Sequence, residues 1–139
     1  MNQWDTQGRS TARKRAFLSF DFDHDLDLKN LLIGQARHDD TPFDLTDMSF
    51  KDHQPGDWVS KATTRIKGCD LVIVLCGCST HLASGVSIEV QIAQRERVPY
   101  FLLCGRSDQT CTKPQSALTS DQIYRWTWDN LKILIGGGR

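Results

Sequence analysis

Two apolar runs separated by a helical pattern constrain the fold of this chain more than any other feature. They are CDLVIVLC at 69–76 and VPYFLLC at 98–104, and the segment SGVSIEVQIAQ between them has apolar residues at helical spacing. A continuous apolar run of this length is typical of a strand that is buried on both faces. Two such strands joined through a helix predict part of a parallel sheet.

The same alternation of strand and helix patterns extends through the chain. Strands are predicted at residues 15–22, 42–47, 69–76, 98–104 and 123–128, and helices at 23–36, 57–68, 84–94 and 129–135. This alternation predicts an α/β fold in which a five-stranded, mainly parallel sheet carries helices on both faces. The inner strands are predicted to contain the most apolar runs, and these are Phe17–Phe20, Leu71–Leu75 and Tyr100–Leu103. Residues 105–120 are predicted to be the least regular region.

Length and charge limit the classes of protein to which the chain can belong. Its 139 residues predict one domain at 14–135, with a flexible basic arm at 1–13 and a flexible tail at 136–139. The formal net charge is zero, so no overall field favours nucleic acid or a membrane surface as a partner. No apolar run reaches the ~18 residues of a membrane helix, and no apolar signal-peptide region is seen near the N-terminus.

The cysteine content predicts the redox state and, with it, the compartment. The chain has five cysteines, which are Cys69, Cys76, Cys78, Cys104 and Cys111. An odd number, with three of them inside apolar strand patterns, predicts reduced thiols in a cytoplasm. Pairing of Cys76 with Cys104 and a zinc site formed by the thiols are the alternatives. Because C-x-C is not the spacing of a common zinc site, small buried thiols and no metal are predicted.

One carboxylate interrupts the apolar side of the helix predicted at 84–94. On a helical wheel at ~100° per residue, Glu89 falls inside the apolar arc, between Ile92 and Ala93. It lies early in the helix, and folds of this class bind ligands where helices begin, at the carboxyl ends of the strands. We therefore interpret Glu89 as a carboxylate in a semi-apolar cleft, able to stabilise a developing cation. The alternative is a partly exposed glutamate that reaches solvent at the side of the helix.

Two other clusters of reactive residues follow predicted strands. The segment DFDHD at 21–25 has carboxylates and an imidazole that suit Mg²⁺, Mn²⁺ or Zn²⁺, but helix capping by its aspartates, Asp23 or Asp25, is the favoured interpretation. Cys78 or Ser79 could act as a nucleophile with His81 as its base, although no residue that would orient the imidazole is identified. The hypothesis of a ligand-binding or catalytic site therefore depends on Glu89 and not on either of these clusters.

Several segments of the chain occur in the order and at the spacing of a known family. They are FLSFDFDHD at 17–25, the loop with Pro55-Gly56, the S-x-x-x-x-E pattern from Ser84 to Glu89, and VPYFLL at 98–103. Over about residues 14–104 the chain resembles the TIR-like domains, and most closely the ThsB branch of the bacterial Thoeris anti-phage system. In this resemblance the Pro55-Gly56 loop corresponds to the BB loop, and the Ser84–Glu89 segment carries the catalytic glutamate.

The resemblance implies a fold, a reaction and a set of site residues. The implied fold is flavodoxin-like, with five parallel strands in the order 2-1-3-4-5. The implied reaction is cleavage of the nicotinamide glycosidic bond of NAD⁺, often with cyclisation or transfer of the ADP-ribosyl product into a signal nucleotide. Glu89 is then the catalytic carboxylate, and the substrate-binding positions are Phe20, Asp21, Ser84, Trp58 and Asp47. One departure is Gly85, where many TIR domains have a tryptophan four residues before the glutamate.

The implied chemistry agrees with a lone glutamate. Breaking the bond makes the ribose cation-like, as in glycoside cleavage, while nicotinamide leaves as a neutral molecule that needs no general acid. NAD⁺ is thus expected as substrate with no separate cofactor. The expected partners are a second copy of the chain, through TIR-like surfaces, and a downstream effector reached by the nucleotide product. The alternative function is a non-catalytic TIR-like module that binds another protein.

Overall fold

Strands and helices alternate along the described chain. The computed structural model describes residues 13–38, 41–49 and 57–138, within which there are five strands and four helices. The strands are β1 (Lys14–Ser19), β2 (Phe43–Met48), β3 (Leu71–Cys76), β4 (Tyr100–Cys104) and β5 (Ile123–Arg125). The helices are α1 (Leu26–Ala36), α2 (Trp58–Lys67), α3 (Ser84–Arg95) and α4 (Trp128–Ile135), and a short 3-10 helix (Thr80–Leu82) precedes α3. The Pro55-Gly56 loop and the predicted N-terminal arm up to residue 12 lie outside the described residues.

The five strands form one sheet in which every pair is parallel. Its order is β2-β1-β3-β4-β5, which is the flavodoxin-like arrangement, so the predicted fold is confirmed. The inner strands are β1, β3 and β4, as their apolar runs predicted. All carboxyl ends of the strands therefore meet at one edge of the sheet, which we call the carboxyl edge.

Helices cover both faces of the sheet and bury two apolar clusters. On one face, Leu28 and Leu32 of α1 and Leu131 of α4 pack against alternate residues of the strands. On the other face, the apolar residues of α2 and α3 pack against the intervening ones, and we call this group the α2/α3 cluster. All six residues of β3 are buried, as expected for a strand with helices on both sides.

Some element boundaries differ from the predicted ones. The first strand ends at Ser19 rather than residue 22, and α1 begins at Leu26 rather than residue 23. Between them the chain turns, because the Asp21 carbonyl oxygen accepts hydrogen bonds from the backbone N–H groups of His24 and Asp25. Likewise, β5 has only three residues and α4 begins at Trp128, inside the strand predicted at 123–128. Residues 105–120 contain neither helix nor strand, as predicted.

The expectation that all five cysteines are reduced is wrong for two of them. Cys104 and Cys111 form a disulfide, with their Cα atoms 5.9 Å apart, whereas Cys69, Cys76 and Cys78 are free. The chain leaving β4 turns back within seven residues, so a cysteine of the polar loop reaches the end of the strand. The alternative pairing of Cys76 with Cys104 is likewise not formed.

A helix that crosses a bilayer needs about 20 mostly apolar residues. Within the described ranges, no helix has the length and the apolar character that this requires.

Candidate functional site

Glu89 lies on the face of α3 that packs against the sheet, and its side chain is completely buried, with 0% exposure. Its Oε1 accepts hydrogen bonds from two serine hydroxyls, Ser19 Oγ at 2.7 Å and Ser49 Oγ at 2.5 Å. In the part of the chain that the structure describes, its second oxygen, Oε2, has no hydrogen-bond partner. The carboxylate is therefore fixed through one oxygen, while the other is buried and, among the described residues, makes no hydrogen bond.

Burial controls the ionisation of this carboxyl group. Removal from water raises the pKa of Glu89 to about 7, and the hydrogen bonds from Ser49 and Ser19 only partly oppose that increase. The predicted desolvation is confirmed, and the alternative of a glutamate that reaches solvent is wrong. A carboxyl group with this pKa changes its charge near neutral pH, which is typical of functional sites.

Two strands and one helix meet at the Glu89 carboxylate. Ser19 is the last residue of β1, and Ser49 directly follows β2, so the carboxylate lies at the carboxyl edge of the sheet. Ser49 is held in place by its neighbours, because its Oγ accepts the Phe20 N–H at 3.1 Å and its N–H donates to the Leu18 carbonyl oxygen at 2.9 Å. The three groups connect α3 to both strands.

Sequence reasoning missed both serines. Ser19 is the one polar residue in the run AFLSF, and polarity inside an apolar strand was the available signal. Ser49 carried no such signal, because the first residue after a strand is commonly polar. Their joint role depends on the parallel pairing of β1 with β2, which brings together residues that lie 30 positions apart.

A small pocket of about 170 Å³ lies between the β1–α1 loop and the start of α3. It brings together three of the predicted substrate-binding residues, Phe20, Asp21 and Ser84. Gly85 also lines it, and Glu89 lies one helical turn further along the same face of α3. Glu89 itself is not among the lining residues. Gly85 is itself buried, one helical turn before Glu89.

Asp21 orients a histidine at the mouth of this pocket. Its Oδ2 lies 2.7 Å from His24 Nδ1, and its Oδ1 accepts the backbone N–H of Asp23 at 3.0 Å. The hydrogen bond and charge of Asp21 raise the pKa of the exposed His24 imidazole, so its cationic form is favoured. His24 also lines a neighbouring pocket of about 350 Å³, whose wall includes Arg106. The two pockets share the carboxyl edge.

The aspartates of DFDHD do not cap α1 in the expected way. Asp25 occupies the position before α1, but its side chain makes no capping hydrogen bond. Its buried carboxylate instead accepts from Arg106 at 3.2 Å, and Arg106 also pairs with Asp27 at 2.6 Å. Burial raises the pKa of Asp25 and Arg106 opposes that increase. An ion pair at Oδ1 thus stands in place of the expected cap, and among the described residues the buried Oδ2 has no hydrogen-bond partner.

Among the residues whose placement is described, no three histidine, cysteine, aspartate or glutamate side chains are arranged to hold a metal ion.

Two predicted substrate-binding residues lie apart from the pocket. Asp47, on β2, accepts a hydrogen bond from Arg65 at 3.0 Å and another from the Met48 N–H at 2.9 Å. Trp58 begins α2 and packs against the α2/α3 cluster. Neither residue lines the pocket beside Glu89 or the one that His24 shares with it.

The possible nucleophile and base after β3 do not face each other. The Cys78 thiol donates to Gln109 Oε1 at 2.8 Å, while His81 Nδ1 lies 2.9 Å from Thr112 Oγ1. Each side chain thus has a different partner in the loop after β4. This arrangement gives no support to a nucleophile activated by His81.

Comparison with known proteins adds no relative whose function could be transferred to this site. No protein-family model matches the chain, and no curated protein matches it either.

Proposed function

We propose that this chain is a TIR-like domain that cleaves NAD⁺ at the nicotinamide glycosidic bond. The product would be an ADP-ribose-derived, cyclic signal nucleotide that acts on an effector in prokaryotic anti-phage defence. The observation that carries the proposal is the desolvated carboxylate of Glu89 at the carboxyl edge, one helical turn from the pocket lined by Phe20, Asp21 and Ser84. The flavodoxin-like strand order supports it, because such folds bind nucleotides at this edge.

The sizes of the two pockets suggest how a dinucleotide would be divided between them. The pocket beside α3 is smaller than the roughly 300–1,000 Å³ of a whole ligand site, so it suits only the nicotinamide–ribose end. The neighbouring pocket has about 350 Å³ and includes His24 and Arg106 in its wall. The cationic form of His24 is favoured, which suits the diphosphate, whereas the charge of Arg106 is already balanced by Asp25 and Asp27.

In the proposed reaction the bond between ribose C1′ and the nicotinamide nitrogen breaks. Its electron pair goes to the nitrogen, which becomes neutral, and C1′ becomes cation-like. Glu89, ionised through Oε2, stabilises that charge in a site of low dielectric. Water then adds to C1′ and releases a proton, giving ADP-ribose; in cyclisation a nitrogen of the adenine ring adds instead. The positive nicotinamide ring also favours the ionised form of Glu89 before the bond breaks.

Two neighbours of Glu89 would act as positioning residues. Ser19 and Ser49 hold Oε1 through their hydroxyl groups, and Oε2, which is buried and has no partner among the described residues, is the atom that would contact the ribose. Both hydrogen bonds favour the carboxylate over the carboxylic acid.

One observation favours the second candidate function, a non-catalytic interaction module. Glu89 has no exposed surface, and its hydrogen bonds connect α3 to β1 and to the residue after β2. A buried carboxylate with this role would be a structural group. The two candidates differ in what happens when the charge of Glu89 is removed.

The test is Glu89→Gln, which keeps the shape of the side chain and its acceptor for the two serine hydroxyls. Release of nicotinamide from NAD⁺ is measured by chromatography, at a pH above 7 and under conditions in which the wild type turns over. Turnover should fall by about 10²–10³, the usual loss when one well-placed electrostatic stabiliser is removed. Circular dichroism should show an unchanged fold.

Glu96→Gln, at the end of the same helix, is the matched control. Glu96 follows the last residue of α3 and pairs with Arg95 and Lys67 at the opposite edge of the sheet, so its loss should leave turnover unchanged. Wild-type turnover by Glu89→Gln would contradict the catalytic role. An unfolded Glu89→Gln variant, beside a folded Glu96→Gln variant, would instead support the structural role.

A further inference from the structure

A third, larger cavity, a groove, lies at the carboxyl ends of β4 and β5, next to α1. It has a volume of about 720 Å³, within the roughly 300–1,000 Å³ of small-molecule sites. Its walls include Leu31 and Gln35 of α1, Arg106 of the loop after β4, and Arg125, Trp126 and Trp128. None of these groups is used by the proposed cleavage of NAD⁺ except Arg106, which lines both this groove and the pocket that includes His24.

Two indole rings give the groove an aromatic wall. Trp126 is fixed by a hydrogen bond from its Nε1 to Gln35 Oε1 at 2.8 Å. Trp128 is flanked by the His38 ring, with centroids 5.9 Å apart, and by Lys132 Nζ at 5.9 Å from its ring centroid. Both tryptophans remain partly exposed, and Leu31 beside them is 63% exposed. Fixed, partly exposed indoles suit stacking with a planar ring.

The two arginines of the groove differ in whether a carboxylate pairs with the guanidinium. Arg106 is paired with Asp25 and Asp27, so its charge is already compensated. Arg125 is exposed, and among the described residues its guanidinium has no carboxylate partner. An unpaired guanidinium beside aromatic rings suits a phosphate group on an aromatic ligand.

We propose that this groove binds a nucleoside monophosphate, with its base on an indole and its phosphate on Arg125. The groove volume of about 720 Å³ exceeds that of a base alone, so the groove can also hold a ribose and a phosphate. The site is separate from the pocket beside Glu89, and it does not depend on the proposed cleavage of NAD⁺.

The test is calorimetric titration of the full chain with AMP, GMP, CMP and UMP, together with quenching of tryptophan fluorescence. At least one of the four should bind saturably and quench. The matching nucleoside and ribose 5-phosphate should each bind at least tenfold more weakly, because each lacks one of the two contacts. Arg125→Gln should weaken the nucleotide at least tenfold without changing the affinity of the nucleoside. Trp128→Leu should weaken both the nucleotide and the nucleoside.

Arg97→Gln is the control, because it removes one exposed positive charge from the turn between α3 and β4, at the other edge of the sheet. It should bind as the wild type does. Absence of binding for all four nucleotides, or equal affinity in Arg125→Gln and the wild type, would overturn the proposal. The KM for NAD+ should be unchanged in Arg125→Gln; an increase would overturn the separation of the two sites. The binding result is decisive even if no NAD⁺ is cleaved.

Discussion

At the scale of single residues, a substitution of Ser19 changes the pKa of Glu89 while the glutamate itself is kept. The Ser19 hydroxyl donates to Glu89 Oε1 at 2.7 Å, and this hydrogen bond lowers the pKa of the carboxyl group. Ser19→Ala should therefore raise the pKa of Glu89 above its value of about 7. If cleavage needs the ionised carboxylate, the rise of kcat/KM with pH should shift to higher pH. The variant should approach the wild-type rate in alkaline buffer.

A pH–rate profile separates this role from simple damage to the fold. Ser60→Ala makes the same chemical change on the exposed side of α2 and should leave the profile where it is. A Ser19→Ala variant that is slower by a constant factor at every pH would contradict a role through the ionisation of Glu89.

The residue scale also shows what a single sequence could and could not reveal. Glu89 was identified because one polar residue on an apolar helix face can be recognised locally. Its partners could not be found in the same way, because they lie on other elements and meet it only through the strand pairing. Asp47 shows the same limit, since its ion pair with Arg65 joins β2 to α2. A loose match to a family pattern, such as that of Asp47, is therefore not enough to predict that a residue lines the pocket beside Glu89.

At the scale of elements, the loop after β4 departs most from expectation. It was predicted to be irregular, which is confirmed, but its connections were not predicted. The disulfide between Cys104 and Cys111 closes it, and Arg106 inside it pairs with two aspartates at the start of α1. The loop thus connects the end of β4 to the first turn of α1. Polarity alone could not show this, because a solvated loop and a cross-linked loop have the same composition.

A count of reactive thiols tests the disulfide. In denaturant without reductant, the chain should show three thiols, those of Cys69, Cys76 and Cys78, and five after reduction. Closure of so short a loop should contribute about 2 kcal/mol to the free energy of unfolding. Cys111→Ser should lose that amount relative to the oxidised wild type.

Cys78→Ser is the matched control for the thiol count. Cys78 is exposed and free, so this variant should keep the disulfide and show two thiols before reduction. Five reactive thiols in the unreduced wild type would contradict the disulfide and restore the expectation of reduced cysteines.

At the scale of the whole molecule, the order of strands and helices was predictable because it depends on local patterns. Runs such as 71–76 are apolar at every position, and only burial on both faces explains that. Exact boundaries were less predictable, because a turn such as that at Asp21 depends on hydrogen bonds between groups of the same loop. The candidate site was predictable in part. Its position at the carboxyl edge follows from the fold, whereas its contacts depend on residues that are distant in sequence.

The whole molecule also responds to the charge of Glu89, because a buried carboxylate is linked to folding. Its pKa is about 7 in the folded chain against 4.5 as its ordinary value, so the fold favours the protonated form. As pH rises from about 4.5 to 7, the unfolded chain loses this proton first, and the free energy of unfolding falls. The difference in pKa corresponds to about 3 kcal/mol in the free energy of unfolding, and this contribution is fully lost above pH 7.

Glu89→Gln should remove this pH dependence, since the amide does not titrate. Urea unfolding at pH 5 and pH 8 measures it, with Glu96→Gln as the control for loss of a charge. At pH 5 the Gln variant and the wild type should be similar in stability; at pH 8 the variant should be more stable by about 3 kcal/mol. Greater stability with lost turnover is typical of a carboxylate kept for chemistry. A variant that is less stable than the wild type at pH 8 would show that the ionised carboxylate supports the fold, and would favour the interaction module.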